Sequence, residues 1–266
     1  MFLGFEQTVY QGLVSKNGTY RTINACSRIN HWVSSFWQLD VEQGNYIYRS
    51  VADNCVDWII NLLDPDESFL VSPFTTPIEF PLTGPVSYFG IRFRTLGYQG
   101  LTHLPLGEWN DVQTVKAEEI LMPDLLEQIQ NCAYAFSQFN QRCDAISKIL
   151  QASLKYPVID TRLMQFFRLV NDGSLLSTEA GKLQSIEFGR TQRQVRRLSQ
   201  LHLGLSMKSF IRVSRFQNVL HLMHMNRFDK QAFLEHFYDQ SHFIREFKYF
   251  TGTTPDKFGK MSFLYN

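Results

Sequence analysis

The 266-residue chain carries 26 Lys and Arg against 25 Asp and Glu, with 44% hydrophobic and 19% charged residues, the composition of a soluble globular protein. Its length suits one large domain or two of ordinary size, and no apolar run approaches the ~18 residues of a membrane span. Met1 to Tyr10 lacks the basic start and apolar core of a signal peptide, so a cytoplasmic protein with no membrane contact is expected.

The net charge of +1 hides a split. Residues 1–156 hold 10 basic and 16 acidic side chains, whereas residues 157–266 hold 16 basic and 9 acidic, balances of −6 and +7. A basic rear half points to a polyanionic partner for that half alone. The four cysteines, Cys26, Cys55, Cys132 and Cys143, show neither a C-x-x-C pair nor metal-ligand spacing. Cys132 and Cys143, placed on one helix, would lie about 16 Å apart, too far to bridge. Reduced thiols and no metal or other cofactor are expected.

From Thr19 to about Thr114 the pattern is that of β structure. Tyr46–Val51, Val56–Asn61, Ser68–Val71 and Val86–Arg94 are short runs rich in β-branched and aromatic residues, separated by turn clusters such as Asp53-Asn54 and Thr83-Gly84-Pro85. In the last run Phe89, Ile91 and Phe93 share one face, and Tyr88, Arg92 and Arg94 the other. Many short strands of this kind predict a small barrel or sandwich.

Helix follows. Leu125, Ile129, Cys132, Phe136, Phe139, Cys143, Ile146 and Leu150 alternate steps of four and three, an a/d stripe. Two readings stand: a helix or helix pair laid on the β domain, or a seam joining two subunits as a homodimer. After Tyr156-Pro157 a second helical series runs on. The resulting division is a β domain over residues 1–122, a helical linker over 123–156 and a helical domain over 157–266. The fold class is α+β.

Two stretches of the rear half repeat one plan. Thr191 is followed by apolar Val195, then Arg197, Gly204 and Ser206, and Asp239 is followed at the same offsets by Phe243, Arg245, Gly252 and Thr254. Thr and Asp are N-caps, glycine ends a helix in the left-handed conformation, and Ser206 or Thr254 starts the next helix. A preceding helix and short turn complete a helix-turn-helix, present twice. Gln192, Arg193, Gln194, Arg196 and Arg197 in the first unit, and Gln240, Ser241, His242 and Arg245 in the second, lie toward the N-terminal turns. Arg pairs with guanine and Gln with adenine through two bonds each, so these types suit base-edge recognition in double-stranded DNA. Met207 to about Met225 reads as one helix of about 28 Å, close to the ~34 Å between successive major grooves on one side of B-DNA.

Gly189-Arg-Thr-Gln-Arg-Gln-Val-Arg-Arg through Gly204-Leu-Ser, Arg215-Phe, Tyr238-Asp-Gln-Ser-His-Phe-Ile-Arg-Glu-Phe-Lys and Phe250-Thr-Gly-Thr-Thr-Pro resemble AraC-type (AraC/XylS) bacterial transcription regulators over residues 157–262. The resemblance implies DNA contacts by the residues matching 192, 193, 196, 197, 240–242 and 245, with RNA polymerase as a further partner. Ser199 stands where that family usually has an aromatic, His236 where it has glycine, and Gln231 where an apolar residue faces inward. Phe36-Trp37, Val51–Asp57 and Gly90–Gly97 resemble the sensor domains that precede such units, which implies a cupin-like barrel and a small-molecule effector. On the strand face, Arg92 and Arg94 have two readings, solvated side chains or holders of an anionic effector. The chain is therefore expected to be a non-enzymatic, sequence-specific DNA-binding regulator whose residues 157–266 bind DNA alone. The alternatives are a cupin-type enzyme with an accessory DNA-binding tail and a protein-binding antagonist with decayed DNA units.

Overall fold

The computed structural model describes residues 10–13, 18–102, 104–109, 114–156, 159–173, 175, 192–225, 227, 229, 233–234, 236–258 and 262–265, with 10–13, 192 and 262–265 described as backbone alone. The fold is α+β. Strands β1 (Tyr10–Leu13), β2 (Gly18–Asn24), β3 (Val33–Val41), β4 (Asn45–Ser50), β5 (Val56–Asn61), β6 (Ser68–Val71), β7 (Ile78–Thr83), β8 (Val86–Phe93) and β9 (Thr114–Lys116) precede the helices, and β10 (Ser262–Tyr265) follows them. They form two antiparallel sheets, one ordered β2-β3-β8-β5-β6-β9 and the other β10-β1-β4-β7. Each sheet keeps two edge strands of its own. The expected closed barrel is therefore corrected to a two-layer sandwich.

Alternation along the central strands explains the layering. Phe36, Val56, Trp58, Ile60, Phe89, Ile91 and Phe93 point to one face of the six-stranded sheet and join the main core. Trp37, Leu39 and Val41 point to the other, where Tyr46 and Tyr48 of the four-stranded sheet meet them. The central sheet is thus covered on both sides. Its interior is aromatic, with Tyr20 stacked on Trp37 at 5.9 Å between ring centroids and Phe36 on Phe89 at 6.0 Å. Trp37 pairs in register with Gly90 and its indole lies over that residue. A Cβ at Gly90 would fall 2.0 Å from Trp37 Cε2.

The helices are α1 (Ala117–Ile120), α2 (Pro123–Ala135), α3 (Phe139–Ser153), α4 (Thr161–Asn171), α5 (Gln192–Leu203), α6 (Met207–His224), α7 (Gln240–Thr251) and α8 (Pro255–Phe258). The a/d stripe is two helices, since α2 ends at Ala135 and Phe136 is extended. Arg142 of α3 closes the end of α2: its Nε donates to Ala133 O at 2.7 Å, and its Nη2 donates to Phe136 O. A cation there satisfies the last carbonyls and suits the helix dipole. Leu125, Ile129, Phe139, Cys143, Ile146 and Leu150 are buried in the main core, with Phe89 of the sheet in edge contact with Phe139. The stripe is buried within the chain, as the first of its two readings expects. It also places Cys132 and Cys143 on different helices, both as free thiols.

The same core continues through Leu163, Phe166, Phe167 and Val170 of α4 to Leu203, Met207 and Phe210, without a break between the β domain and the rear helices. Pro157, at the expected boundary, lies outside the described residues. Among the described residues no helix is long and apolar enough to cross a membrane.

Two substitutions test this account. Gly90→Ala should cost about 1–3 kcal/mol, the usual cost of overpacking a filled core, read as a lower urea midpoint. The second concerns Asp160, which caps α4 by accepting from Arg162 N at 2.9 Å. The side-chain bonds from Arg162 hold its carboxyl down to about 2. Asp160→Ala should cost about 1 kcal/mol at neutral pH. A carboxyl depressed by folding stabilises above its unfolded pKa and loses that effect as pH falls through the folded value. Denaturation curves of the two proteins should therefore converge toward pH 2.

Candidate nucleic-acid interface

Helices α5 and α7 are each twelve residues long, and Gly204 and Gly252 follow them with φ of +65° and +72°. Both glycines take the left-handed conformation that ends a helix. Asp239 caps α7, its carboxylate accepting from His242 N at 2.6 Å, and Ser206 caps α6, its hydroxyl accepting from Ser209 N at 3.0 Å. Thr191, Gly189-Arg190, Ser185, Gln231 and Ala232 lie outside the described residues, as does the side chain of Gln192.

On α5, Arg193, Gln194, Arg196 and Arg197 are exposed, while Val195 and Leu198 pack on the core. Among the described residues, none of these three arginines is within ion-pair distance of a carboxylate. On α7, Gln240, Ser241 and Arg245 are exposed and His242 is half-buried. His242 is stacked on Tyr238, and its Nδ1 accepts from Tyr238 N at 3.4 Å. That bond assigns the proton of the neutral ring to Nε2. Arg193, Gln194, Arg196 and Arg197, and Gln240, Ser241 and Arg245, thus fall on exposed surface of two helices, one arginine-rich and one mixed, with His242 half-buried beside the second group.

Helix α6, which follows α5 after Gly204–Ser206 and packs on α7, is 18 residues long, about 27 Å at 1.5 Å per residue. It holds α7 through Phe216, whose ring lies 4.9 Å from Phe250 and 5.6 Å from Phe247. Arg212 adds a bond from Nη2 to Glu246 Oε1 at 2.7 Å and covers the Tyr249 ring at 4.8 Å. Two residues that depart from the family resemblance are accommodated locally. Ser199 is fully buried and its Oγ donates to Leu205 O, and buried His236 has Nε2 3.3 Å from Asn218 Nδ2.

Sequence patterning did not reveal how the β domain grips these helices. The loop after β4 enters the helical region: Val51 and Ala52 join Val213, Phe216, Leu220, Phe247, Phe250 and Phe258 in one buried cluster. Asn54 Nδ2 donates to Ser214 Oγ at 2.9 Å and to Phe210 O at 3.2 Å, and Gln217 Nε2 donates to Ala52 O at 2.7 Å. At the other helix, Gly107 lies so near α5 that a Cβ would fall 2.9 Å from Gln200 O. Gln99 Nε2 meets His202 Nδ1 at 3.2 Å, and burial holds the His202 pKa below its ordinary value. The β domain therefore braces α5 and α6–α7 at once.

The loop is anchored from behind by charge. Arg92 of β8 is 2% exposed. Its Nη2 lies 2.8 Å from Asp57 Oδ2 and 3.6 Å from Asp53 Oδ2. Burial opposes its charge, but Asp57 and Asp53 outweigh that and hold the guanidinium protonated well above its ordinary range. Asp53 Oδ1 also accepts from Cys55 N at 2.9 Å, and Trp37 Nε1 donates to Asp57 Oδ1 at 3.0 Å. Arg94, expected beside Arg92, turns away and donates from Nε to Asn30 O. Buried and paired with two carboxylates, Arg92 is neither solvated nor free to hold an anion, which corrects both of its expected readings.

These features define an α+β protein whose N-terminal antiparallel sheets support a helical rear half. Within it, a family model described as a domain of unknown function (DUF6597) matches residues 21–115, which run from β2 into β9. No curated protein and no solved structure matches the chain.

Asn54→Ala should cost about 1–3 kcal/mol, because it removes the two buried bonds that tie the loop to Ser214 Oγ and Phe210 O of α6. Denaturant midpoints should record the loss, and limited proteolysis should cut the loop at Val51–Asn54 sooner than in the parent.

Proposed function

We propose that the chain is a sequence-specific DNA-binding transcription regulator. In this reading α5 and α7 are the second helices of two helix-turn-helix units and enter successive major grooves. The observation that carries the proposal is the pair of twelve-residue helices, each closed by a left-handed glycine and each presenting unburied Arg or Gln near its N-terminus. Arg193, Gln194, Arg196 and Arg197 on α5, and Gln240, Ser241, His242 and Arg245 on α7, are the proposed contacts, with Gln192 joining them by sequence. The length of α6, about 27 Å, supports placing both helices on one side of a duplex. The DUF6597 domain is known in AraC-type regulators, which adds support from the front half. Control of transcription would then run through RNA polymerase, and the front half would supply a response to an effector.

Retention of duplex DNA by the whole chain tests this directly. If about 6–10 phosphates are contacted, affinity should fall on the order of 10³–10⁵ between 50 and 200 mM salt. At the preferred site Arg193→Ala or Arg196→Ala should cost about 1–3 kcal/mol and relax base preference. Equal losses on preferred and random duplexes would assign these arginines to phosphate instead. A folded chain that retains no duplex at low salt would overturn the proposal.

A further inference from the structure

The start of α7 holds one of its side chains at four points. His242 is the third residue of the helix, and its backbone N donates to the Asp239 carboxylate at 2.6 Å. Its ring is stacked on Tyr238, with centroids 5.5 Å apart and 30° between planes, and meets Phe237 edge-on at 5.5 Å and 71°. Phe237 is buried and packs on Phe243 at 4.9 Å, so that contact ties the imidazole to the helical interior. Tyr238 N donates to His242 Nδ1 at 3.4 Å. The backbone, a ring face, a ring edge and one ring nitrogen of this half-buried side chain are thereby set before any partner arrives.

One polar group is left for recognition. With Nδ1 spent as an acceptor, the neutral ring keeps its proton on Nε2, and no group among the described residues accepts from that nitrogen. Arg245 lies three residues on, so the two side chains share one side of the helix. In the major groove guanine presents two adjacent acceptors, N7 and O6. Adenine sets a donor beside its acceptor, thymine a methyl group, and cytosine offers a donor alone. A single fixed donor with no accompanying acceptor is matched best by guanine. Holding the ring in advance also lowers the ordering cost that binding would otherwise carry.

Tyr238 makes this arrangement. It is 73% exposed, so its ring adds little to the core, yet it supplies both the stacking face and the N–H. We infer that Tyr238 is a positioning residue that fixes the orientation and tautomer of His242, and that His242 thereby donates from Nε2 to a guanine in the groove that α7 enters. The inference rests on the DNA-binding reading and names the base that one of its contacts selects. A neutral donor displaces no phosphate counterion, so the pair sets base preference and leaves salt dependence to the arginines.

The test uses the full chain and the duplex it selects from a random pool, with each base pair then exchanged singly. Binding is measured at about pH 8, where an ordinary histidine is neutral. The selected duplex should contain a guanine that the parent favours over adenine by about fivefold, the effect of a single hydrogen bond. His242→Ala should abolish the preference at that position alone. Tyr238→Ala, which keeps the N–H but removes the ring, should reduce it to under about twofold, and the double variant should lose no more than His242→Ala does. Tyr238→Phe, which keeps the stacking face, should retain it. The slope of affinity against salt should be the same in every variant. In the free chain, imidazole nitrogen shifts should show His242 as the Nε2–H tautomer. A full guanine preference in Tyr238→Ala, its loss in Tyr238→Phe, additive losses in the double variant, equal losses at every position or an Nδ1–H tautomer would overturn the inference. A chain that retains no duplex fails the DNA-binding reading instead, an outcome distinct from retained binding with an unaltered guanine preference.

Discussion

A guanidinium taken out of water has to be matched, and in this molecule the matching of Arg92 fixes much of what surrounds it. Removing one partner of such a buried arrangement leaves an uncompensated charge, which costs far more than the pair is worth in isolation. Asp57 comes from the neighbouring strand β5, opposite Arg92 in register, so one carboxylate arrives with the sheet itself. Asp53 lies beyond the strand, and its approach to Arg92 draws the loop into a set position. Trp37 completes the group by donating to Asp57 while lying across Gly90. Sheet register, aromatic packing and loop placement thus meet at one charged side chain.

From that point the architecture follows as a series of covered faces. The six-stranded sheet buries one side under α2 and α3 and the other under the four-stranded sheet. Its strands consequently bear large apolar residues on both faces, as in Phe36-Trp37 and Trp58-Ile59-Ile60. The loop that Asp53 anchors covers part of the α6–α7 cluster, and the turn at Leu106-Gly107 covers the end of α5. The rear helices rest against a rigid platform at two places, one at each of the helices with exposed polar faces.

The positions of most strands and helices were legible because they rest on local periodicity. Val56–Asn61 and Ser68–Val71 appear at the expected bounds, and the helix expected over Met207–Met225 ends one residue earlier. What periodicity does not carry is closure and partnership. Alternating strands are equally compatible with a barrel or two sheets, and the choice lies in edge pairing. The a/d stripe keeps its rhythm across Phe136–Gln138 because both helices face the same sheet, so the break is invisible to spacing; Arg142, which folds back on the end of α2, caps it there. The exposed faces of α5 and α7 were readable from polar residues opposite Val195, Leu198, Phe243 and Phe247. The docking of Val51, Ala52 and Asn54 was not, since their partners lie some 160 residues later and a short apolar loop has no period. Arg92 was visible as a charged residue on a strand face, but its two carboxylates were not visible as its partners.

The unbroken core has a consequence for how the protein comes apart. A chain with separate β and helical cores would melt in two events, each region retaining its order when the other is lost. Here the main core threads the sandwich, α2–α4 and the start of α6, and the smaller cluster around Phe216 is finished by Val51 and Ala52 from the front half. Loss of either region exposes apolar surface that belongs to the other, so the two are coupled in a single cooperative transition. Anything that steadies the sandwich then raises the melting temperature of the rear helices by the same amount.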